Sequence, residues 1–128
     1  MSFVICDTNI FISLFENIKP TVEELELIGS NNVLITSVSV MELYRGMRNK
    51  KEMIDMQAKI KRYNVLHIDE EVSNYAIELI HKFKLSHNLQ IPDAIIAAMS
   101  IVNDLELFTY NVKDFKFIPD IRLYQPAT

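Results

Sequence analysis

The sequence predicts an α/β fold: a parallel β-sheet of about five short strands, flanked by helices on both faces. Two features of the chain carry that expectation. Short runs rich in apolar and β-branched residues ("FVIC", "VLIT", "VLHI", "LFT" and "RLY") alternate with longer stretches of helical pattern. Strands separated in this way by helices favour a parallel sheet covered on both sides. Composition bounds the size: 128 residues, 49% hydrophobic and 23% charged, fit one compact domain over residues 1–128 with a single core.

The elements follow in chain order. After "FVIC", "NIFISLF" and "PTVEELELIG" read as short helices, the second opening at Pro20 and closing near Gly29. "VLIT" is the second strand, and a helix from about Ser37 to Arg48 comes after it. A basic helix from about Lys50 to Tyr63 leads into "VLHI". Asp69 suits an N-cap for the next helix, where Val72, Tyr75, Ala76, Leu79, Ile80 and Phe83 recur at helical spacing. Pro92 opens "PDAIIAAMSIV", apolar nearly all round and therefore expected to be buried. "LFT" and "RLY" supply the last two strands.

Composition also excludes several classes. Two glycines and four prolines leave little room for flexible linkers. The apolar opening lacks a basic leader and carries Asp7, which argues against a signal peptide. No apolar run approaches the roughly 20 residues that cross a bilayer, so no membrane association is expected. Cys6 is alone and cannot form an internal disulfide; a reducing cytoplasm is the expected setting, with Cys6 a small core residue. His67, His81 and His87 lack metal-ligand spacing and read as surface or core histidines. Met41, Met47, Met53 and Met56 read as core fillers, with a partner-binding face the alternative for Met53 and Met56. The net charge of −4 is unevenly spread: Arg45 to Arg62 holds seven basic and two acidic residues, a net of +5, leaving −9 elsewhere. Such a segment is either a solvated helix face or a seat for a polyanion.

Four acids stand where a doubly wound sheet gathers ligands, outside the carboxyl ends of its strands. Asp7 directly follows the first strand, Glu42 lies in the first turns of the helix after "VLIT", Asp93 follows Pro92, and Asp114 follows "LFT". Each taken alone has a capping explanation; Ser39 to Glu42 matches a capping box, and Asn111 to Asp114 resembles a helix start. Together they point elsewhere. Two carboxylates about 4 Å apart repel by about 4 kcal/mol even at an effective dielectric near 20, so a fold gathers several only with a cation or a shared proton. An all-carboxylate set suits hard cations such as Mg²⁺ or Mn²⁺.

"CDTNIFI", "TSVSVMELYRG", "IPDAIIAA" and "LFTYNVKDF" resemble, in order, the motifs of the PIN-domain ribonucleases, in particular the small VapC-type toxins of toxin–antitoxin pairs. The resemblance spans Asp7 to Phe115, nearly the whole chain. It implies that Asp7, Glu42, Asp93 and Asp114 form an acidic quartet that binds Mg²⁺ or Mn²⁺, with Thr8, Asn9 and Asn111 lining the site. It further implies endoribonuclease activity leaving a 5′-phosphate and a 3′-hydroxyl, a homodimer, and a separate inhibitory antitoxin. Two positions depart from the pattern: Tyr110 stands where the family often has Arg, which bears on substrate contacts, and "VNDLEL" lacks the usual Gly.

The expectation is therefore a metal-dependent endoribonuclease. Asp7, Asp93 and Asp114 would hold metal, Glu42 would orient the attacking water or complete the metal shell, and Arg45 and Arg48 would contact the RNA backbone. The alternatives are a non-catalytic PIN-like RNA-binding or scaffolding protein and a receiver-like phosphoacceptor module. Receiver modules carry paired adjacent acids near the first strand, and no second acid adjoins Asp7.

Overall fold

Four short strands, β1 (Val4–Cys6), β2 (Val33–Thr36), β3 (Asn64–Leu66) and β4 (Glu106–Phe108), form one parallel sheet in the order β3-β2-β1-β4. The structure is a computed structural model and describes residues 2–127. Helices α1 (Thr8–Phe15) and α2 (Lys19–Ile28) connect β1 to β2, α3 (Ser37–Arg45) and α4 (Lys50–Ile60) connect β2 to β3, and α5 (Glu70–His87) and α6 (Ile91–Val102) connect β3 to β4. In receiver modules the second strand lies at the sheet edge beside the first. Here β2 lies between β1 and β3, which removes that alternative.

Side chains alternate across a strand, so each strand feeds both faces. Ile5 and Leu107 join one apolar cluster with α5 and α6; Val4, Cys6 and Phe108 join another with α1, α2, α3 and α4. The expected single core is thus split by the sheet. Cys6 lies fully buried in the second cluster, where burial pushes its thiol up, away from the reactive thiolate. Of Met41, Met47, Met53 and Met56, Met56 is buried, Met47 packs partly, and Met41 and Met53 are exposed, so those two do not fill the core.

Several boundaries differ from the sequence reading for local reasons. α3 stops at Arg45 because Asn49 adopts an extended conformation and caps α4, its side chain accepting from the Glu52 N–H at 2.9 Å. Thr36, rather than Ser39, caps α3, accepting from the Ser39 N–H at 3.1 Å. Asp69 caps α5 as expected, accepting from Val72 N–H at 2.9 Å. The "RLY" strand is reduced to one parallel bridge, Leu107 to Leu123. Beyond it the chain turns toward α2, where the Tyr124 hydroxyl donates to Glu24 Oε2 at 2.5 Å and the Ala127 N–H to Oε1 at 3.1 Å. Among the described residues no helix is long and apolar enough to cross a membrane.

Candidate acidic site

The register aligns Cys6 with Ile35 and with Phe108, so the next residues, Asp7, Thr36 and Thr109, stand side by side where three strands end. β1 is the strand from which the chain departs in both directions across the sheet, the crevice position where α/β folds bind ligands. Asp7 is 5% exposed and held on both oxygens. Oδ1 accepts from the Thr8 N–H at 2.8 Å; Oδ2 accepts from the Thr109 hydroxyl at 2.8 Å and from Asn9 Nδ2 at 3.2 Å. Asp7 is therefore both the cap of α1 and a buried carboxylate presented by β1. Burial raises its pKa, and the hydrogen bond from Thr109 opposes the rise.

Glu42 is fixed from α1. Its Oε1 accepts from Thr8 Oγ1 at 2.7 Å, and Thr8 Oγ1 also lies 2.8 Å from Ser39 Oγ. A hydroxyl has one proton to give. With Thr8 donating to Glu42, Ser39 must donate to Thr8, and Thr36 Oγ1, 3.4 Å from Ser39 Oγ, donates to Ser39. The buried Thr36 and Ser39 hydroxyls thus form a one-directional chain ending on the Glu42 carboxylate. Glu42 does not take part in a capping box.

Asp93 and Asp114 are held differently. Asp93 is the third residue of α6, and Asp114 closes a short 3-10 turn, Val112–Asp114. Among the described residues neither carboxylate has a hydrogen-bond or ion-pair partner. Asp93 is nevertheless close enough to the other three acids to feel them all. Its pKa is pushed up to about 6, first by burial, then by the charges of Asp7, Asp114 and Glu42. The cleft therefore carries unbalanced negative charge with an oxygen-only donor set, the chemistry that suits a hard divalent cation. The acids do not close around one point: among the described residues no three Asp, Glu, His or Cys side chains are arranged to hold a metal together. Mg²⁺ keeps several waters and needs only one or two carboxylates, so this openness fits it.

Of the polar residues expected to line the cleft, Thr8 and Asn9 are built into it. Asn9 Oδ1 also accepts from the Tyr110 N–H at 3.1 Å. Asn111 contributes its backbone, its N–H donating to Thr109 Oγ1 at 3.0 Å. Tyr110 turns its hydroxyl to Thr21 Oγ1 on α2. Arg45 ends α3, one turn beyond Glu42, and is exposed without an ion pair among the described residues. Arg48 is paired at 2.9 Å with Glu52, and Lys51 at 2.9 Å with Asp55, so part of the basic segment is locally neutralised. Thr109 escaped the sequence reading, and Ser39, expected in a capping box with Glu42, instead meets Thr8 and Thr36. A signal for Thr109 was present: it follows "LF" as Asp7 follows "VIC".

The family model described as "PIN domain" matches residues 4–119. No curated protein sequence gives a significant match. Among solved structures, a toxin–antitoxin complex from Klebsiella pneumoniae is similar at 29% identity and a TM-score of 0.77, covering 92% of this chain and 94% of that one. VapBC2 from Rickettsia felis, bound to a DNA fragment from its promoter, is similar at 27% identity and a TM-score of 0.79, covering 95% and 97%. DNA-bound VapBC from Salmonella typhimurium shares the fold, with a TM-score of 0.83 at 22% identity over 97% and 98% of the two chains.

Proposed function

The chain belongs to the PIN domain family, and on that footing we propose that it is a Mg²⁺- or Mn²⁺-dependent endoribonuclease, the cytoplasmic toxin of a toxin–antitoxin pair. The observation that carries the nuclease reading is the crowding around Asp93, a carboxylate without a partner among the described residues whose charge is opposed by Asp7, Asp114 and Glu42. Similarity to the Klebsiella toxin–antitoxin complex supports an inhibitory antitoxin as partner. A homodimer completes the proposal.

A bound cation acidifies a water and offsets charge on the phosphate oxygens. Asp7, Asp93 and Asp114 would hold it, directly or through water. Asp7 is the fixed member of that set, and Asp93 and Asp114 keep the freedom to adjust. Glu42 is the group suited to orient the attacking water, because Thr8 fixes its Oε1 and Oε2 has no partner among the described residues. Water adds to phosphorus as the bond to the 3′-oxygen breaks, leaving a 5′-phosphate and a 3′-hydroxyl. Arg45, at the end of α3 and without an ion pair among the described residues, would meet the RNA backbone, and Arg48 would offer it a charge already shared with Glu52.

Incubating purified protein with mixed cellular RNA, with and without Mg²⁺, tests the proposal. Metal-dependent cuts with 5′-phosphate ends are expected. RNA binding without cleavage, with Mg²⁺ present or absent, would instead support the non-catalytic PIN-like alternative.

A further inference from the structure

We propose that the cleft between the α5–α6 turn and the Val112–Asp114 turn is a nucleobase subsite, in which one unpaired base of the RNA stacks on His87 beside Asp93 and Asp114. The proposal rests on RNA as the substrate and adds where, and by what contact, a base is read.

Three observations converge on it. The first is an aromatic platform. His87 stacks on Phe117 with ring centroids 4.1 Å apart and planes 9° from parallel, and Phe83 meets both rings edge-on at 5.8 and 5.3 Å. Phe83 and Phe117 are half-buried while His87 is exposed, so one face of the imidazole is fixed and the other is open. Neither His67 nor His81 makes a ring contact among the described residues. The second is a cavity of about 240 Å³ that runs from His87 and Phe117 to Asp93 and Asp114. It falls below the ~300 Å³ at which pockets accept drug-sized ligands, a size for one planar group rather than a whole chain. The third is the polar lining. Asn88, in the left-handed conformation that ends α5, is braced by Lys84 on its side-chain oxygen and by Gln90 Nε2 on its backbone oxygen at 2.9 Å. The Asn88 amide nitrogen and the Gln90 oxygen remain to meet a base edge, one donor and one acceptor.

Charge decides what kind of planar group fits. The inner end of the cleft is acidic, so a free anion is repelled, whereas a neutral base is not. Lys113 also lines the cleft and has no ion pair among the described residues, so it can meet the attached phosphate. Single-stranded RNA is bound elsewhere by the same combination of an aromatic face and a cation.

The test uses a short single-stranded oligoribonucleotide carrying one 2-aminopurine, whose fluorescence is quenched on stacking, with the metal-free full-length chain. Wild type should bind and quench. His87→Ala should weaken binding by roughly 5- to 100-fold and lose the quench. His87→Phe, which keeps the stack on Phe117, should restore both; circular dichroism of each variant controls for folding. Equal binding and quenching by folded His87→Ala, or no rescue by folded His87→Phe, would overturn the subsite. A His–Phe stack that only clamps α5 to the turn after the 3-10 segment predicts a lower Tm for His87→Ala with affinity unchanged. Cleavage measured in parallel separates the two readings: quenching without any cutting sinks the nuclease and leaves the subsite, while cutting with unaltered KM in His87→Ala sinks the subsite alone.

Discussion

The two halves of the acidic cleft are built on opposite principles. Asp7 and Glu42 are tied by neighbours: Asp7 accepts three hydrogen bonds, and Glu42 terminates a chain of hydroxyls. Among the described residues Asp93 and Asp114 have no such ties, although Asp93 feels the other three acids of the cleft. The difference follows from position. Asp7 stands directly behind β1, where the parallel register sets Thr109 beside it as a donor, and Glu42 lies on α3 behind β2, within reach of Thr8 at the start of α1. Asp93 stands in the first turn of α6, which follows α5 rather than a strand, and Asp114 closes a short 3-10 turn. A cleft of this kind has a rigid side that sets geometry and a compliant side that takes up a cation.

The largest effect should come from breaking the rigid side. Asp7→Asn keeps shape and removes a charge, but it also sets an NH₂ group, or a flipped amide, against the donors Thr109 and Asn9 or against the Thr8 N–H. Metal-dependent cleavage should fall by about 10²–10⁴-fold, the range for a positioned catalytic group. Stability should change little, because relief from burying a charge offsets the lost hydrogen bonds. RNA cleavage rates and melting curves measure the two; an active variant would make Asp7 only a cap.

The compliant side should declare itself through pH and metal. The pKa of Asp93 is raised to about 6 from an ordinary 3.8. The folded protein therefore holds that proton more tightly than the unfolded chain does. The resulting stability is fully present below about 3.8 and is lost as pH rises through about 6. Cation binding needs the ionised carboxylate, so the gain from Mg²⁺ should grow over the same window. At pH 7, Mg²⁺ at about ten times its Kd stabilises by ~1.4 kcal/mol, a Tm rise of about 5 °C. In Asp93→Asn the rise should vanish, and the metal-free variant should melt above metal-free wild type at pH 7. A metal response identical in both proteins at pH 5 and 7 would mean that Asp93 takes no part.

Between these lies Thr8→Val, which keeps the volume of Thr8 and removes the hydroxyl that fixes Glu42. If Glu42 orients the attacking water, kcat should drop by about tenfold to a hundredfold with KM and the Mg²⁺ response nearly unchanged. A fall in metal affinity instead would move Glu42 into the metal shell.

How far the sequence disclosed this arrangement depends on the kind of contact. Strand positions and the places of the four acids were legible, because hydrophobic period and strand ends are local patterns. Asp69 was read correctly as a cap because its partner is three residues away. Ser39 was misread for the same reason: its role depends on Thr8, 31 residues earlier, and no local pattern records that pairing. The division into held and free carboxylates was likewise hidden, since Thr109 reaches Asp7 across 102 positions through the sheet register. His87 lacked any spacing to a ligand set, and its stack on Phe117 joins α5 to a turn beyond β4.

The smallest effect sharpens the comparison most. Ser39→Ala leaves Thr8 and Glu42 in place and removes the middle link of the hydroxyl chain. Thr8 keeps its bond to Glu42 but loses the donor behind it, and buried Thr36 loses its acceptor. Thr36 Oγ1 keeps the backbone N–H of residue 39, but its buried proton left without an acceptor costs about 1 kcal/mol, so the Tm should fall measurably. If the chain serves only packing, that is the whole result. If it fixes Glu42, kcat should also fall, by a few-fold, while KM for RNA and the Mg²⁺ stabilisation at pH 7 stay as in wild type. Ser39→Thr keeps the hydroxyl at the cost of one methyl group in a buried position, and it should recover kcat without recovering the Tm. A kcat that follows the Tm in both variants would show that the rigid side owes its order to packing rather than to the oriented hydroxyls.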